Sequence, residues 1–409
     1  MHTIQRKTFT PLFAVIFSTS LLIWGDVNRA SAQAYTWTTF VGLPTVSGTN
    51  NGTRSAALFN QPTGTIEDAA GNLYIADEQN NLIRKCTANG VVTAFAGSAG
   101  NTGTNDGTGT NALFNQPSNL AFDSAGNIFV ADTFNHTIRK ITPAGLVSTF
   151  AGLGGTPGFK NGTGSGALFN QPNGIAFDSS NNLYVADGVN GAVRRVTTNA
   201  VVSTVATGFY LPEQVAVDKS NIIYVDDAGN NVIRKMTPAG VVSLLAGSGA
   251  IGSKDGTGAG AEFNYPESLT VDSSSNVFVA DYGNDTIRMI TPAGVVTTIG
   301  GQVGIMGTND ATGTNALFNQ QEGISVDKSD NIYVADTQNN TIRIGLAPGA
   351  VPLGMQRVGG QLVLTWTNSA FSLQSAPTAN GTYTNSPTAI SPYTNSTGSG
   401  QQYFRLKGN

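Results

Sequence analysis

The chain has 409 residues, of which 50 are glycine, 40% are hydrophobic and only 11% are charged, and its formal net charge is −4. Frequent Val, Ile, Thr, Phe and Tyr between Gly and Asn turns favour an all-β protein of many short strands. The acidic balance excludes the strongly basic nucleic-acid-binding proteins. The single cysteine, Cys86, excludes a disulfide bond within the chain.

The N-terminus has the order of a secretory signal peptide. Arg6 and Lys7 precede an apolar run over residues 11–24, and Ala30-Ser31-Ala32 offers a small-x-small cleavage site. We predict that residues 1–32 are removed, which leaves 18 basic and 24 acidic residues. No later stretch is long and apolar enough for a transmembrane segment. The expected location is therefore secreted, periplasmic or at the cell surface.

Six sequence repeats follow. Asn72-Leu73-Tyr74-Ile75-Ala76-Asp77 is the first copy of a segment that recurs at intervals of 55, 55, 40, 54 and 55 residues, and an arginine stands seven residues after each terminal aspartate. Each copy predicts four short strands, which in the third copy cover residues 175–178, 183–187, 192–196 and 201–205. The later copies end at Asp132, Asp187, Asp227, Asp281 and Asp336.

The repeats predict a closed ring. A four-stranded unit of this size cannot bury both its faces alone, so neighbouring units must stack on it. The sixth copy departs from the pattern after Arg343, before a fourth strand, whereas residues 35–42 match the fourth strand of the second copy without three strands before them. We predict a six-bladed β-propeller over residues 35–349 that is closed by this N-terminal strand.

The repeat resembles the NHL repeat. The resemblance rests on Phe-Asn-x-Pro, then Asn-Leu-Tyr-Val-Ala-Asp, then Asn-x-x-Ile-Arg, and it covers roughly residues 35–346. NHL propellers serve as protein-binding platforms, RNA readers or, less often, lyases and lactonases, so the resemblance implies the fold and leaves the function open.

Long inserts between the repeats point to one face of the propeller. In an antiparallel blade, the loop from the second to the third strand and the connection to the next blade emerge on the same side. The inserts over residues 98–112 and 247–261 are therefore expected beside Asp132, Asn135 and His136, which are candidate ligand-binding residues. No insert precedes the fourth copy, and this predicts either a notch in the rim or an ordinary loop deletion.

Three glutamates form the one asymmetric acidic cluster in the sequence. Glu213, Glu267 and Glu322 stand where the chain enters the innermost strands of copies four to six, directly after Pro212, Pro266 and Gln321. The other copies have Thr63, Ser118 and Asn173 there. They are candidates to bind a metal ion or a basic group at the mouth of the central channel, or they are independent solvated acids.

Catalytic signatures are few. His136 is the one histidine left after the signal peptide, which excludes the multi-histidine zinc site of amidating lyases, to which this propeller is similar. A lactonase-like site would need carboxylates around one divalent ion. The recurrent Asp and Arg pairs are interpreted as structural salt bridges or turn caps, and Cys86 as a core residue.

After Pro348-Gly349 the repeat stops. Alternating apolar residues in residues 362–366, 371–374 and 403–406 predict a small β-sandwich over residues 352–409. It is loosely similar to fibronectin type III modules of secreted bacterial proteins.

These features predict an exported, noncatalytic and monomeric scaffold that engages an extracytoplasmic protein or glycan through the loop-rich face. No cofactor is expected for it. The alternative is a metal-dependent hydrolase or lactonase that uses Glu213, Glu267 and Glu322 around a divalent ion. The sequence alone leaves open whether the protein is an enzyme.

Overall fold

The computed structural model describes residues 34–347 in full and the backbone of six strands between residues 354 and 408. Residues 35–347 form six antiparallel sheets, which are blades 1 to 6 in chain order. The chain is a six-bladed β-propeller, as predicted.

Each blade has four main strands, counted outward from the channel. The innermost strands are Pro62–Glu67, Pro117–Phe122, Pro172–Phe177, Pro212–Val217, Pro266–Val271 and Gly323–Val326. The second strands are Leu73–Asp77, Ile128–Asp132, Leu183–Asp187, Ile223–Asp227, Val277–Asp281 and Ile332–Asp336. The third strands are Leu82–Cys86, Thr137–Ile141, Ala192–Val196, Val232–Met236, Thr286–Ile290 and Thr341–Leu346. The outer strands are Val91–Gly97, Leu146–Ala151, Val201–Thr207, Val242–Ala246, Val295–Gly300 and Thr36–Val41.

Five blades carry a short fifth strand that the sequence pattern did not predict. It comes from the insert before each blade and pairs with the start of the outer strand, and blade 4, which has no insert, lacks it. Two residues are too few to show an alternating pattern. The fifth strands are Gly52–Thr53, Gly107–Thr108, Gly162–Thr163, Gly256–Thr257 and Ala311–Thr312.

Single 3₁₀ turns occupy two recurrent places. One set follows the fifth strand: Arg54–Ala56, Gly109–Asn111, Gly164–Gly166, Gly258–Gly260 and Gly313–Asn315. The other set follows the second strand: Glu78–Asn80, Thr133–Asn135, Ala228–Asn230, Tyr282–Asn284 and Thr337–Asn339.

The strand bounds of the third copy are longer than predicted. Its innermost strand begins at Pro172, which pairs with Asp187 across an irregularity before Ile175, and its outer strand continues to Thr207. The bulge interrupts the alternation of side chains, so the periodic pattern alone places the start of the strand too late.

The ring closes through the N-terminal strand, as predicted. Thr36–Val41 pairs antiparallel with Thr341–Leu346 and supplies the outer strand of blade 6. Trp37 is completely buried there, and its indole Nε1 donates a hydrogen bond to the carbonyl oxygen of Ile299, 3.1 Å away. This contact joins the closing strand to blade 5.

The apolar core lies between blades. Each of six clusters of buried side chains joins two neighbouring blades; between blades 2 and 3, for example, Phe129 and Ala131 pack with Phe169 and Leu183. Cys86 is a buried member of the cluster between blades 6 and 1, as the sequence predicts. Each blade therefore depends on both of its neighbours to bury its faces.

The remaining predictions fall on other parts of the chain. The signal peptide over residues 1–32 lies outside the described residues. In the C-terminal region the strands form two three-stranded sheets, and the β-sandwich stays a prediction. The strands are Gly354–Val358, Gln361–Thr365, Phe371–Ala376, Thr384–Asn385, Tyr393–Ser396 and Tyr403–Gly408. Within the described residues, no helix has the length and apolar character needed to cross a membrane.

Candidate functional site at the channel mouth

The innermost strands begin on the face that carries the long inserts. Pro62 pairs with Asp77, so the start of an innermost strand lies beside the loop between the second and third strands. The inserts reach the same loops, since Asn135 Nδ2 donates to the carbonyl oxygen of Gly103 at 2.6 Å. We call this side the loop-rich face.

A ring of six side chains surrounds the channel at this face, one from the start of each innermost strand. Three are neutral and three are acidic, and all six line one cavity of about 210 Å³. The six are Thr63, Ser118, Asn173, Glu213, Glu267 and Glu322. The structure therefore brings the three predicted glutamates together at the channel mouth.

A fourth glutamate, Glu78, lines the same cavity from the loop of blade 1, and Phe134 and Val189 lie at its rim with 45% and 50% of their surface exposed. Among the described residues, the lining includes no lysine, arginine or histidine. We name Glu78, Glu213, Glu267 and Glu322 the acidic mouth.

Glu213 is the best-anchored member of the acidic mouth. Its Oε1 accepts a hydrogen bond from the Tyr265 hydroxyl at 3.0 Å, and its Oε2 accepts one from the Asn173 side-chain amide. Burial raises the pKa of Glu213, and these two hydrogen bonds oppose the shift. The carboxyl group is therefore held in one orientation.

A buried aspartate lies directly behind Glu213. Asp226 is completely buried, and its Oδ1 accepts hydrogen bonds from the backbone amides of Glu213 and Gln214, at 2.9 and 2.5 Å. Its Oδ2 has no hydrogen-bond partner among the described residues. Burial raises the pKa of Asp226 well above its ordinary value, although the two backbone hydrogen bonds oppose the shift.

Among the other members of the acidic mouth, Glu78 Oε1 accepts a hydrogen bond from the side-chain amide of Gln79 at 3.2 Å. The Oε2 of Glu267 is buried and has no partner among the described residues. Burial and then the charges of Glu322 and Glu213 raise the pKa of Glu267 well above its ordinary value. Burial raises the pKa of Glu322 to about 8, with Glu78 and Glu213 adding to the shift. Burial also raises the pKa of Glu78 to about 7.

Metal binding by the acidic mouth stays a prediction. The described part of the chain contains no group of three or more His, Cys, Asp or Glu side chains that could hold one metal ion.

The other predicted site residues are used within the propeller. Asp132 is completely buried and bonds to Arg139 and Asn135, and Asn135 is also buried. His136 Nδ1 accepts the backbone N–H of Gln171 in blade 3 at 3.1 Å, and burial lowers the pKa of His136. These three residues connect strands and blades, and they do not line the cavity.

Glu78 and Asp226 were not predicted from the sequence, although each differs from the residue that the other repeats have at its position. Glu78 is the one acidic residue directly after the second strand, where other blades have Thr133, Gly188 or Tyr282. Asp226 replaces the alanine of the repeated Ala-Asp pair. Each difference occurs in a single copy of the repeat. A search for residues that all six copies share does not detect such a difference.

Comparisons with known proteins agree with the fold. The family described as NHL repeat matches residues 114–141 and 169–195. Protein SUPPRESSOR OF QUENCHING 1, chloroplastic, from Arabidopsis thaliana is 32% identical over 160 residues, which cover 37% of this chain and 15% of that protein. NHL repeat-containing protein 2 from Homo sapiens is 29% identical over 168 residues, which cover 38% of this chain and 23% of that protein. The matches thus span less than a quarter of each relative.

Among solved structures, an auxiliary nutrient binding protein from Bacteroides thetaiotaomicron aligns with a TM-score of 0.62 at 18% identity, over 77% of each chain. At this identity the likeness concerns the fold alone. Together with the repeat match and the six sheets, it leads to one conclusion: this chain carries NHL repeats and is a six-bladed β-propeller.

Proposed function

We propose that the protein is an exported, noncatalytic binding scaffold that engages a protein or glycan through its loop-rich face, and that the ligand places a positively charged group in the acidic mouth. The observation that carries this proposal is the cavity itself, which is lined by four glutamates and, among the described residues, by no basic side chain. A cation is the complementary occupant of such a site.

The state of the carboxyl groups supports this choice. Burial raises the pKa of Glu267 well above its ordinary value and that of Glu322 to about 8, because ionised carboxylates in a partly desolvated cavity lose hydration and repel one another. A bound cation would stabilise the ionised forms and would also give the unpaired Oε2 of Glu267 a hydrogen-bond donor. An anionic or purely apolar ligand would neither stabilise the ionised carboxylates nor give the Oε2 of Glu267 a hydrogen-bond donor.

The size of the cavity limits the size of the group that can bind in it, and the rim favours a group with an apolar carbon skeleton. About 210 Å³ accommodates one amino-bearing side chain or one sugar unit rather than a whole macromolecule. Phe134 and Val189 at the rim offer apolar contact to the carbon skeleton of that group. Lysine side chains and amino sugars that lack an N-acetyl group both have this chemistry.

Calorimetry with matched probes tests the proposal. A short lysine peptide is compared with the same peptide after acetylation of its lysine side-chain amines. Chitosan oligomers are likewise compared with chitin oligomers. We expect the charged member of a pair to bind and its neutral counterpart to fail. Equal binding of both members would reject electrostatic recognition.

Variants locate the binding. Glu267→Gln and Glu322→Gln should weaken the binding of the charged probe about tenfold each. Glu67→Gln is the matched control, because Glu67 lies on an innermost strand but lines the opposite opening of the channel. A loss in the control that equals the loss in the two variants would place binding outside the acidic mouth.

Metal-dependent hydrolysis is the alternative function for the same residues. It requires Glu213, Glu267 and Glu322 to gather around one divalent ion. Metal analysis after addition and dialysis of calcium and manganese discriminates the two functions. One retained ion per chain that is lost in Glu267→Gln would support the hydrolase and justify screening lactones and esters.

Export is part of the proposal and has its own test. Cleavage after Ala32 gives a mature chain that begins at Gln33. Expression of the full chain in a bacterial host, followed by cell fractionation and intact-mass measurement, should give this product outside the cytoplasm. A full-length product in the cytoplasm would contradict export.

A further inference from the structure

In five blades, the insert supplies hydrogen-bond acceptors to the arginine that stands seven residues after the last aspartate of the second strand. Blade 5 shows the arrangement: Arg288 Nη1 donates to the carbonyl oxygen of Glu262 at 3.1 Å, and Nη2 donates to the carbonyl oxygen of Lys254 at 3.2 Å and to Asp255 Oδ1 at 2.8 Å. The guanidinium also lies over the ring of Phe263, 5.1 Å from its centroid. Blades 1, 2, 3 and 6 repeat these contacts.

The insert also completes the outer edge of the blade. In blade 5, Gly256–Thr257 pairs antiparallel with the first two residues of the outer strand, Val295 and Val296. Val296 is 1% exposed and also packs in the core between blades, while Val295 is 38% exposed. On the outer strand, Thr298 donates its hydroxyl hydrogen to Asp255 Oδ1 at 2.9 Å, so one aspartate of the insert ties the arginine and the strand together.

Blade 4 has an arginine and an outer strand at the places that contact the insert in the other blades, but it has no insert. Arg234 makes one hydrogen bond within the described residues, from Nε to Asp227 Oδ2 at 2.6 Å, and its side chain is 30% exposed, whereas the arginines of the other blades are 0–1% exposed. Val241 is 67% exposed and Val242 is partly exposed. Leu244 occupies the place of Thr298 and is 42% exposed.

We propose that these residues of blade 4, namely Arg234, Val241, Val242 and Leu244, form a docking groove for an extended peptide segment of a partner protein. The segment pairs with the free edge of the outer strand and gives Arg234 Nη1 and Nη2 a main-chain carbonyl and an Asp or Asn side chain. It thus takes the place that an insert of this chain occupies in each other blade.

The chemistry of the groove selects a peptide over other occupants. A free strand edge offers alternating N–H and C=O groups, which a second extended backbone satisfies along its length. The guanidinium fork favours a planar carboxylate or carboxamide. Leu244 in place of a threonine favours a partner with an apolar side chain at that point. The groove lies on the outer edge of one blade, so it is independent of the acidic mouth.

The chain itself supplies the probe. A fluorescent peptide with the sequence of residues 252–263, which is the insert that blade 5 uses, is titrated into the full mature protein. We expect saturable binding, with slower hydrogen exchange at the amides of the segment from Val241 to Leu244. The same peptide with Asp255→Ala should bind about tenfold more weakly, because it loses a charge-assisted hydrogen bond.

Two variants of the protein decide the result. Arg234→Gln should weaken peptide binding about tenfold or more, while Lys235→Gln, which removes the same charge from the neighbouring residue, should leave it unchanged. A second variant replaces Gly208 with a copy of residues 248–262, which fills the groove in cis and should abolish binding without relying on loss of Arg234. Absence of saturable binding at millimolar peptide, or equal binding by the filled variant, would overturn the proposal.

Discussion

Asp132 and Arg139 form a completely buried ion pair, with 2.7 Å between Asp132 Oδ2 and Arg139 Nη1. Arg139 also donates to the carbonyl oxygens of Leu113 and Asn105 and to Asp106 Oδ1. One guanidinium therefore ties together the second strand, the third strand and the insert of blade 2. The pair with a spacing of seven residues, interpreted as structural from the sequence, is confirmed in every blade.

Loss of this arginine should cost more in a blade with an insert than in blade 4. Arg139→Leu leaves Asp132 buried and unpaired and is expected to lower the free energy of unfolding by about 3–5 kcal/mol. Arg234→Leu also leaves a buried aspartate, but it removes no contact with an insert, so its cost should be about 1–2 kcal/mol smaller. Urea denaturation followed by tryptophan fluorescence measures both values.

Lys140→Leu and Lys235→Leu serve as controls for this comparison, because each removes a positive charge at the next residue of the same strand. Lys235→Leu should change the free energy of unfolding by no more than about 0.5 kcal/mol. Lys140→Leu should cost about 1 kcal/mol, because Lys140 Nζ lies 3.9 Å from Asp123 Oδ2 and over the ring of Phe129. Equal losses for Arg139→Leu and Arg234→Leu would show that the contacts with the insert do not add to the stability of the blade.

Closure of the ring rests on a large residue opposite a small one. Trp37 on the closing strand pairs with Gly345, and a Cβ atom at Gly345 would come within 2.4 Å of the indole ring. At the same places blade 2 pairs Val147 with Ile141. In blade 6 the outer strand therefore carries the bulky side chain and the third strand the small residue, whereas in blade 2 both residues of the pair are of intermediate size.

This exchange predicts a rescue. Trp37→Val should destabilise the protein by about 3 kcal/mol through a cavity, and Gly345→Ile by about 1–3 kcal/mol through the clash. The double variant restores the pair of blade 2 and should be more stable than the sum of the two losses implies, by about 2 kcal/mol. Chemical denaturation of all four proteins gives the coupling energy, and additive losses would contradict the packing.

Much of the architecture could be predicted because it recurs. A feature that appears six times, such as the second strand that ends at Asp77 and its copies, is readable from spacing alone. The closing strand was predictable for the opposite reason, since residues 35–42 match one strand of a repeat and nothing else of it. Both inferences rest on the requirement that every blade bury its faces.

The site was predictable only in part. The three glutamates were found because three copies differ from three others at one position, but Glu78 and Asp226 each differ in a single copy. The predicted ligand residues Asp132 and Asn135 lie buried in the blade, because the side chains of a repeated motif satisfy one another before any ligand arrives. Loop position alone therefore does not reveal which polar groups are already paired.

Asp226→Asn should stabilise the protein at high pH. The carbonyl oxygen of an asparagine can still accept the two backbone hydrogen bonds from Glu213 and Gln214, while the group that must stay protonated in the folded state is removed. Because the pKa of Asp226 is raised by folding, the wild type loses stability as pH rises, and the variant does not. Thermal melting should show a gain at pH 8 and little change at pH 4. Asp226→Ala, which loses both acceptors, should be less stable than Asp226→Asn at both pH values.

The acidic mouth should make stability fall with rising pH. Glu322 ordinarily titrates near 4.5 and has a pKa of about 8 in the folded protein, and Glu78 has a pKa of about 7. Since the folded state binds more protons than the unfolded state across this window, the contribution is complete below about pH 4.5 and is lost as pH rises through about 8. Glu322→Gln should flatten this dependence by about 4 kcal/mol between pH 5 and 8.5. A Glu67→Gln control that flattens it equally would place the effect elsewhere.

The same titration should govern the affinity for amines, and with the opposite sign. A cation binds the ionised carboxylates, so each proton held by Glu322 or Glu267 must leave before or during binding. A lysine side chain, with a pKa near about 10.4, stays charged throughout this range. Affinity for a lysine peptide should therefore rise from pH 6 to 8.5, with proton release that calorimetry in buffers of different ionisation enthalpy detects. Affinity that is constant over this range would mean that the ligand is held by groups other than the acidic mouth, whereas a rise that disappears in the Glu322→Gln variant would tie recognition to this carboxyl group.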